Sequence, residues 1–278
     1  MSPTSTTHPL FRRHVALPNE HGAWVFLFSP LLIGLFAGGR WTAATAPLIV
    51  GALAAFLIRQ PITIAIKAYS RRRSRDELPA ARFWILVYGV IGLLATAMLI
   101  AQGFGYLLIL ALPGLPVFAW HLVLVSRRAE RKQMGVEVVA CGALALAAPA
   151  GLWVGQGYAD PQGWWLWALC WFQSAASIVH AYLRLEQRQL TAQPDLISAL
   201  RLARRALLYT TFNLVAVSVL SAFSLLTTFL FIPFALQWVE TLWGTFRPAI
   251  GLRPTVIGVR QLVVSTVFTV VFIVAWRA

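Results

Sequence analysis

LLYTTFNLVAVSVLSAFSLLTTFLFIPFALQWVETL, Leu207–Leu242, decides the topology of this chain, and its only charged residue is Glu240. Wound as one helix it is about 50 Å long at ~1.5 Å per residue, too long for a hydrocarbon core of ~30 Å. A single crossing also sends Arg247, Arg253 and Arg260 to the face opposite the other basic connections. Two spans joined by a tight hairpin near Leu225–Thr228 resolve both conflicts.

Outward from that hairpin, apolar runs of spanning length give about nine spans. They are Gly22–Gly38, Trp41–Ile58, Phe83–Ala101, Phe104–Val125, Val136–Gly155, Gly163–Leu183, Leu207–Leu225, Thr227–Leu242 and Leu262–Trp276. Charge tests this division independently. Of the 23 Lys and Arg residues, all but Arg40 and Arg277 fall in the N-terminal segment or in every second connection. By the positive-inside rule, residues 1–21 are a cytoplasmic N-terminal segment and the C-terminus lies outside. The expected fold is all-α: one polytopic transmembrane helical bundle, residues 1–278, with no soluble appendage.

Composition agrees. The chain has 278 residues, is 59% hydrophobic and has a mean hydropathy of +0.73, values foreign to soluble domains. A net charge of +14 suggests nucleic acid in a soluble protein. Here it flanks the spans on one side, so the expected partner is the lipid bilayer and its anionic headgroups, not nucleic acid. No cleavable leader is expected, because the first apolar run passes directly into further spans. Cys141 and Cys170 lie inside spans as small hydrophobes; no disulfide, metal site or cofactor is predicted.

Two local features add expectations. The spans contain Pro30, Pro47, Pro113, Pro116, Pro149 and Pro233, and Pro113-Gly114-Leu115-Pro116 is the strongest candidate for a helix break. Pro194–Leu208 aligns Leu196, Leu200, Ala203 and Leu207 on one face beside Arg201, Arg204 and Arg205. That pattern suits an interfacial helix, or a lid over a cytoplasmic cavity.

Ionisable groups within spans are costly and therefore mark candidate sites. They crowd the cytoplasmic ends. Asn19, Glu20 and His21 open the first span; Arg59 and Lys67 follow the second; His121 closes the fourth. Gln173, Ser177, His180 and Arg184 form one stripe at spacing 4, 3, 4 in the sixth span, Asn213 lies early in the seventh, and Arg260 opens the ninth. The stripe reads equally as the wall of an anion-binding cavity or as a hydrogen-bonded seam between helices. Asn19 is placed to cap the first helix and Glu20 to favour its positive end. His21 has no structural task there, which makes it, with Glu20 and His180, a candidate proton carrier.

Pro18-Asn19-Glu20-His21-Gly22-Ala23-Trp24 resembles the opening of the YwiC-like family of bacterial membrane proteins. Arg59-Gln60-Pro61, the Arg127–Pro149 stretch and Ile257–Leu262 fit the same resemblance. It implies a location in the bacterial cytoplasmic (inner) membrane. A weaker similarity, through Arg131-Lys132 and the small-residue run Gly142–Gly151, is to the UbiA-like intramembrane prenyltransferases. That similarity implies nine spans and a cytoplasmic active site. The aspartate-rich, magnesium-holding motifs of those enzymes are missing: Arg59, Lys67 and an Arg71–Arg75 run stand in one place, His180 and Arg184 in the other. Cations cannot hold magnesium, whereas arginine pairs directly with phosphate.

Three functional classes follow. The first is a UbiA-like protein, enzyme or binder, whose cytoplasm-facing cavity takes an anionic lipid or prenyl phosphate. Arg59, Lys67, Arg184 and Arg260 would hold the anion there. The second is a small-solute transporter or exporter, suggested by the prolines and polar residues within spans. The third is a membrane scaffold or accessory protein in which the polar residues are seams. Neither substrate nor oligomeric state is legible.

Overall fold

The computed structural model describes residues 10–18, 21–127 and 133–278. Among them every regular element is helical. After one turn, α1 (Arg13–Ala16), come α2 (His21–Ala37), α3 (Thr45–Tyr69), α4 (Leu78–Ala101), α5 (Ala111–Ser126), α6 (Met134–Leu144) and α7 (Ala147–Gln156). They are followed by α8 (Gln162–Gln187), α9 (Leu196–Ala222), α10 (Phe231–Phe246) and α11 (Pro254–Arg277).

The hairpin within Leu207–Leu242 is present. Helix α9 ends at Ala222, Ser224 takes a left-handed φ of 57°, and a 3-10 turn, Thr228–Leu230, leads into α10. The turn is pinned to the end of α11 by the Thr227 hydroxyl, which donates to the Ala275 carbonyl at 2.8 Å. Four of the six span prolines, Pro47, Pro113, Pro149 and Pro233, occupy the third position of α3, α5, α7 and α10. In the first turn a missing N–H leaves no helical bond unmade, so these prolines set where a helix begins rather than where it kinks. The break expected at Pro113–Pro116 accordingly lies upstream, where a 3-10 segment, Gly105–Leu110, meets α5. By the same logic the expected fifth span is two helices, α6 and α7, parted at Ala145-Leu146.

Two further expectations are corrected. Pro194–Leu208 is not a separate interfacial helix but the opening turns of α9. The Asp195 carboxylate caps it by accepting from the backbone N–H of Ile197 and Ser198. No glycine or proline interrupts the chain before Ala222, so the helix continues. Helix α3 likewise runs through Pro61 to Tyr69, which puts Arg59 and Lys67 on the helix and not in a connection.

Helices α2 and α7 cross at their backbones. A Cβ on Gly34 would sit 2.1 Å from the Ala148 carbonyl oxygen, and one on Gly151 2.6 Å from the Leu35 nitrogen. Gly38 and Gly155 meet in the same way: a Cβ on either would lie 2.9 Å or less from backbone atoms of the other. The main core lies beside this crossing, around Trp153, Leu166, Leu169, Phe234, Phe268 and Phe272. Phe234 and Phe268 meet edge to face at 5.2 Å.

Alternate connections sort to two faces. Val15 packs with Ile64, Ala65, Ala80 and Ala81, the Tyr88 hydroxyl donates to the Ala16 carbonyl, and Arg72 donates to the carbonyl of Val125. The N-terminal segment, the α3–α4 connection and the end of α5 therefore share one face. On the other, Arg277 donates to the Phe36 carbonyl at 2.6 Å and the Trp153 indole to Asp160 O at 2.7 Å. Among the described residues, six helical segments are long and apolar enough to cross a membrane: Thr45–Tyr69, Arg75–Ala101, Gly105–Ser126, Met134–Gln156, Leu196–Ala222 and Pro254–Arg277. The outer surfaces of α4, α5, α9 and α11 carry exposed Leu, Val, Ile and Phe, which marks a surface made for lipid.

Candidate functional site

Most of the described candidate residues fall in two separate places. The first is a seam between α8 and α10. The stripe expected on the sixth span is real: Gln173, Ser177, His180 and Arg184 are all buried on one side of α8. The Gln237 amide donates to the Gln173 carbonyl and to the Ser177 hydroxyl, both at 3.0 Å. One guanidinium nitrogen of Arg184 donates to the carbonyls of Gly244 and Arg247, at 2.8 and 2.7 Å, and to Gln187 Oε1 at 2.8 Å. The last turn of a helix leaves carbonyls unpaired at the negative end of its dipole; Arg184 caps α10 from the neighbouring helix.

At the edge of this seam, Glu240 is held by Arg260 through two parallel bonds of 2.6 and 2.8 Å. The Arg260 guanidinium lies 3.5 Å over the Trp243 ring. His180 stands behind Glu240. Its ring is buried, neither nitrogen makes a hydrogen bond, and Nε2 is 3.9 Å from Glu240 Oε1. Asn213 joins α9 to α8 by donating to the Phe172 carbonyl at 2.9 Å.

The second place is a cavity of about 500 Å³ among α2 to α7. Its walls are leucine, alanine, phenylalanine and isoleucine, and only Arg59, Thr96 and His121 among its lining residues have polar side chains. The Thr96 hydroxyl donates to the carbonyl of Gly92 in its own helix. The ionisable groups in the lining are Arg59 and His121. Each is the last lining residue on its helix, α3 and α5, and both helices run towards the face that holds the N-terminal segment. The cavity is thus apolar along its length and cationic at one end.

The sequence candidates divide accordingly. Arg59 and His121 meet at the cavity; Gln173, Ser177, His180, Arg184 and Arg260 meet at the seam, with Asn213 nearby; Lys67 lies in the last turn of α3. Asn19, Glu20 and the side chain of His21 fall outside the described residues. Gln187, which donates to the Gly244 carbonyl at 2.9 Å, was not among the candidates, although it continues the stripe three residues beyond Arg184. The apolar lining had no signal in sequence, because a leucine facing a void and one facing lipid look alike.

Residues 17–151 match the family model of the YwiC-like proteins. A curated relative, "Uncharacterized protein YwiC" of Bacillus subtilis (strain 168), is 28% identical over 163 residues, 54% of this chain and 59% of the relative. The match therefore spans about three-fifths of the relative's length. No solved structure matches. Every residue lining the cavity, from Leu27 to Ala150, falls within the stretch matched by the family model.

Proposed function

We propose that the part of this helical protein that matches the YwiC-like family, residues 17–151, holds an anionic, lipid-like molecule. The head sits between Arg59 and His121 and the tail lies along the apolar walls. The proposal includes nine spans in a UbiA-like arrangement in the bacterial cytoplasmic membrane. It places the N-terminus and the Arg59 end of the cavity towards the cytoplasm and the C-terminus outside. Lys67, further along α3, adds positive potential on the same side. Asn19, Glu20 and His21, next to α2, are the candidate proton carriers if the ligand is also a substrate.

One observation carries this reading: a cavity of about 500 Å³, within the ~300–1,000 Å³ typical of small-molecule sites, apolar but for a threonine and, as its ionisable groups, one arginine and one histidine. Arginine's planar fork suits phosphate and carboxylate. The second reading, a scaffold or accessory role, draws on the α8–α10 seam, where one guanidinium nitrogen of Arg184 and the Gln237 amide donate across the helix contact.

Thermal unfolding of the purified protein with prenyl phosphates and anionic lipids separates the two. A ligand at a hundred times its Kd stabilises by ~2.7 kcal/mol, a readily measured rise in Tm. The cavity reading expects that rise in the wild type and in His180→Ala, and its loss in Arg59→Ala. No shift with any of these ligands supports the scaffold.

A further inference from the structure

The cavity lies inside the helical bundle, yet several of its walls are also part of the outer surface. Ile100 at the end of α4, Leu108 in the 3-10 segment and Leu115 in α5 line it and are 48%, 53% and 64% exposed. They belong to adjoining elements of the apolar belt. Helix α5 supplies cavity lining from Ala111 to His121, but of its residues only Val125 is buried. One loosely covered helix with an uncovered apolar edge thus separates the cavity from the surroundings. Leu115 precedes His121 by six residues, about 9 Å along the helix at ~1.5 Å per residue. The mouth is therefore displaced from the cationic end, along the membrane normal.

From this geometry we infer that the occupant is an amphiphile taken sideways from the bilayer: a compact anionic head on an apolar chain, with the head at Arg59 and His121 and the chain passing out between Ile100, Leu108 and Leu115. This rests on the reading of the cavity given above and adds the route and the class of molecule. A water-soluble phosphorylated metabolite has no use for the apolar mouth, whereas a chain already dissolved in lipid crosses it without meeting water. Each further methylene contributes ~0.8 kcal/mol to taking the chain out of water, whether it ends in lipid or in the mouth, so the route is read from the residues of the mouth and not from chain length alone.

The test is equilibrium binding of inorganic phosphate, octyl phosphate, hexadecyl phosphate and hexadecanoic acid to the protein in phosphatidylcholine nanodiscs. Hexadecyl phosphate is expected to bind more tightly than octyl phosphate, and inorganic phosphate not measurably. Leu115→Trp and Leu108→Trp, which fill the mouth, should weaken hexadecyl phosphate about tenfold, equivalent to ~1.4 kcal/mol. Leu112→Trp, equally lipid-exposed but not lining the cavity, should leave binding as in the wild type. Leu108→Trp stands in if Leu115→Trp fails to fold. Hexadecanoic acid binding with the same sensitivity to the mouth supports the inference and identifies a carboxylate head. Inorganic phosphate binding as tightly as the alkyl phosphates overturns it, as does binding that needs Arg59 but ignores both tryptophans. If the wild type binds none of the amphiphiles, the cavity reading itself falls.

Discussion

Gly244 is where the seam between α8 and α10 has no slack. A Cβ there would lie 2.8 Å from His180 Cε1 and 3.4 Å from an Arg184 guanidinium nitrogen. Both neighbours are buried, and Arg184 is anchored by three acceptors, so the contact cannot be relieved by swinging one side chain into solvent. Gly244→Ala is expected to destabilise by ~1–3 kcal/mol, the usual cost of overpacking, read as a lowered Tm. The double variant Gly244→Ala/His180→Ala should recover part of that loss, because it removes the ring the methyl meets. Arg184→Lys should be nearly as damaging as Arg184→Ala. The lysine chain is one bond shorter, so its ammonium is expected to fall short of the Arg247 carbonyl and leave it unpaired at ~1–3 kcal/mol, while the Gly244 carbonyl keeps the Gln187 amide. At this scale much of the seam is legible in sequence, since the 4, 3, 4 spacing of Gln173, Ser177, His180 and Arg184 places them on one face. What they touch is not legible: the oxygens held by Arg184 are mostly backbone carbonyls, which carry no side-chain signature.

Prolines and glycines account for most of the agreement and the disagreement at the level of elements. Hydropathy located the hairpin in Leu207–Leu242 because length alone forbids one crossing, and α9 and α10 part where expected. It misplaced the start of α9 because Arg201, Arg204 and Arg205 are good helix formers as well as poor membrane residents. It misplaced the break near Pro113 because a proline's effect depends on its position in the helix, which composition does not reveal. The turn offers a direct check. Ser224 adopts φ 57°, a region that costs a non-glycine residue ~1–2 kcal/mol. Ser224→Gly should preserve or raise Tm, and Ser224→Val should lower it. The α2–α7 crossing offers another. Gly34→Leu and Gly151→Leu force backbones apart that are within van der Waals contact, whereas Gly22 has no atom within 4 Å of its would-be Cβ. Gly22→Ala should therefore be tolerated, while either leucine variant should abolish monodisperse folding, as judged by size-exclusion elution in detergent.

For the molecule as a whole, parity ties the charge distribution to the position of the cavity. Splitting Leu207–Leu242 into α9 and α10 returns Arg247, Arg253 and Arg260 to the face of the other basic connections. The contact between the α8–α9 and α10–α11 connections, Gly251 N–H to Arg188 O at 3.2 Å, agrees with that arrangement. The face carrying Arg71–Arg75 is also the one towards which α3 and α5 run beyond Arg59 and His121, so the proposed anion site lies at the end of the cavity nearer the basic connections. The proposed orientation makes this face cytoplasmic, and cysteine accessibility measures it. Cys141 and Cys170 are buried and small, so replacing both with alanine gives a thiol-free background at modest cost. Single cysteines at Ser74 and Ala192 then report the basic face, and cysteines at Gln102 and Tyr158 the opposite one; all four positions are exposed. A membrane-impermeant maleimide added to intact spheroplasts is expected to label Gln102→Cys and Tyr158→Cys. Ser74→Cys and Ala192→Cys should react only after lysis. Labelling of Ser74→Cys and Ala192→Cys alone in intact spheroplasts would invert the molecule and put the Arg59 end of the cavity outside. Labelling of Ser74→Cys together with Tyr158→Cys, but not Gln102→Cys or Ala192→Cys, would instead show an even number of crossings between residues 74 and 158, where the nine spans require three, and the parity on which they rest would fail.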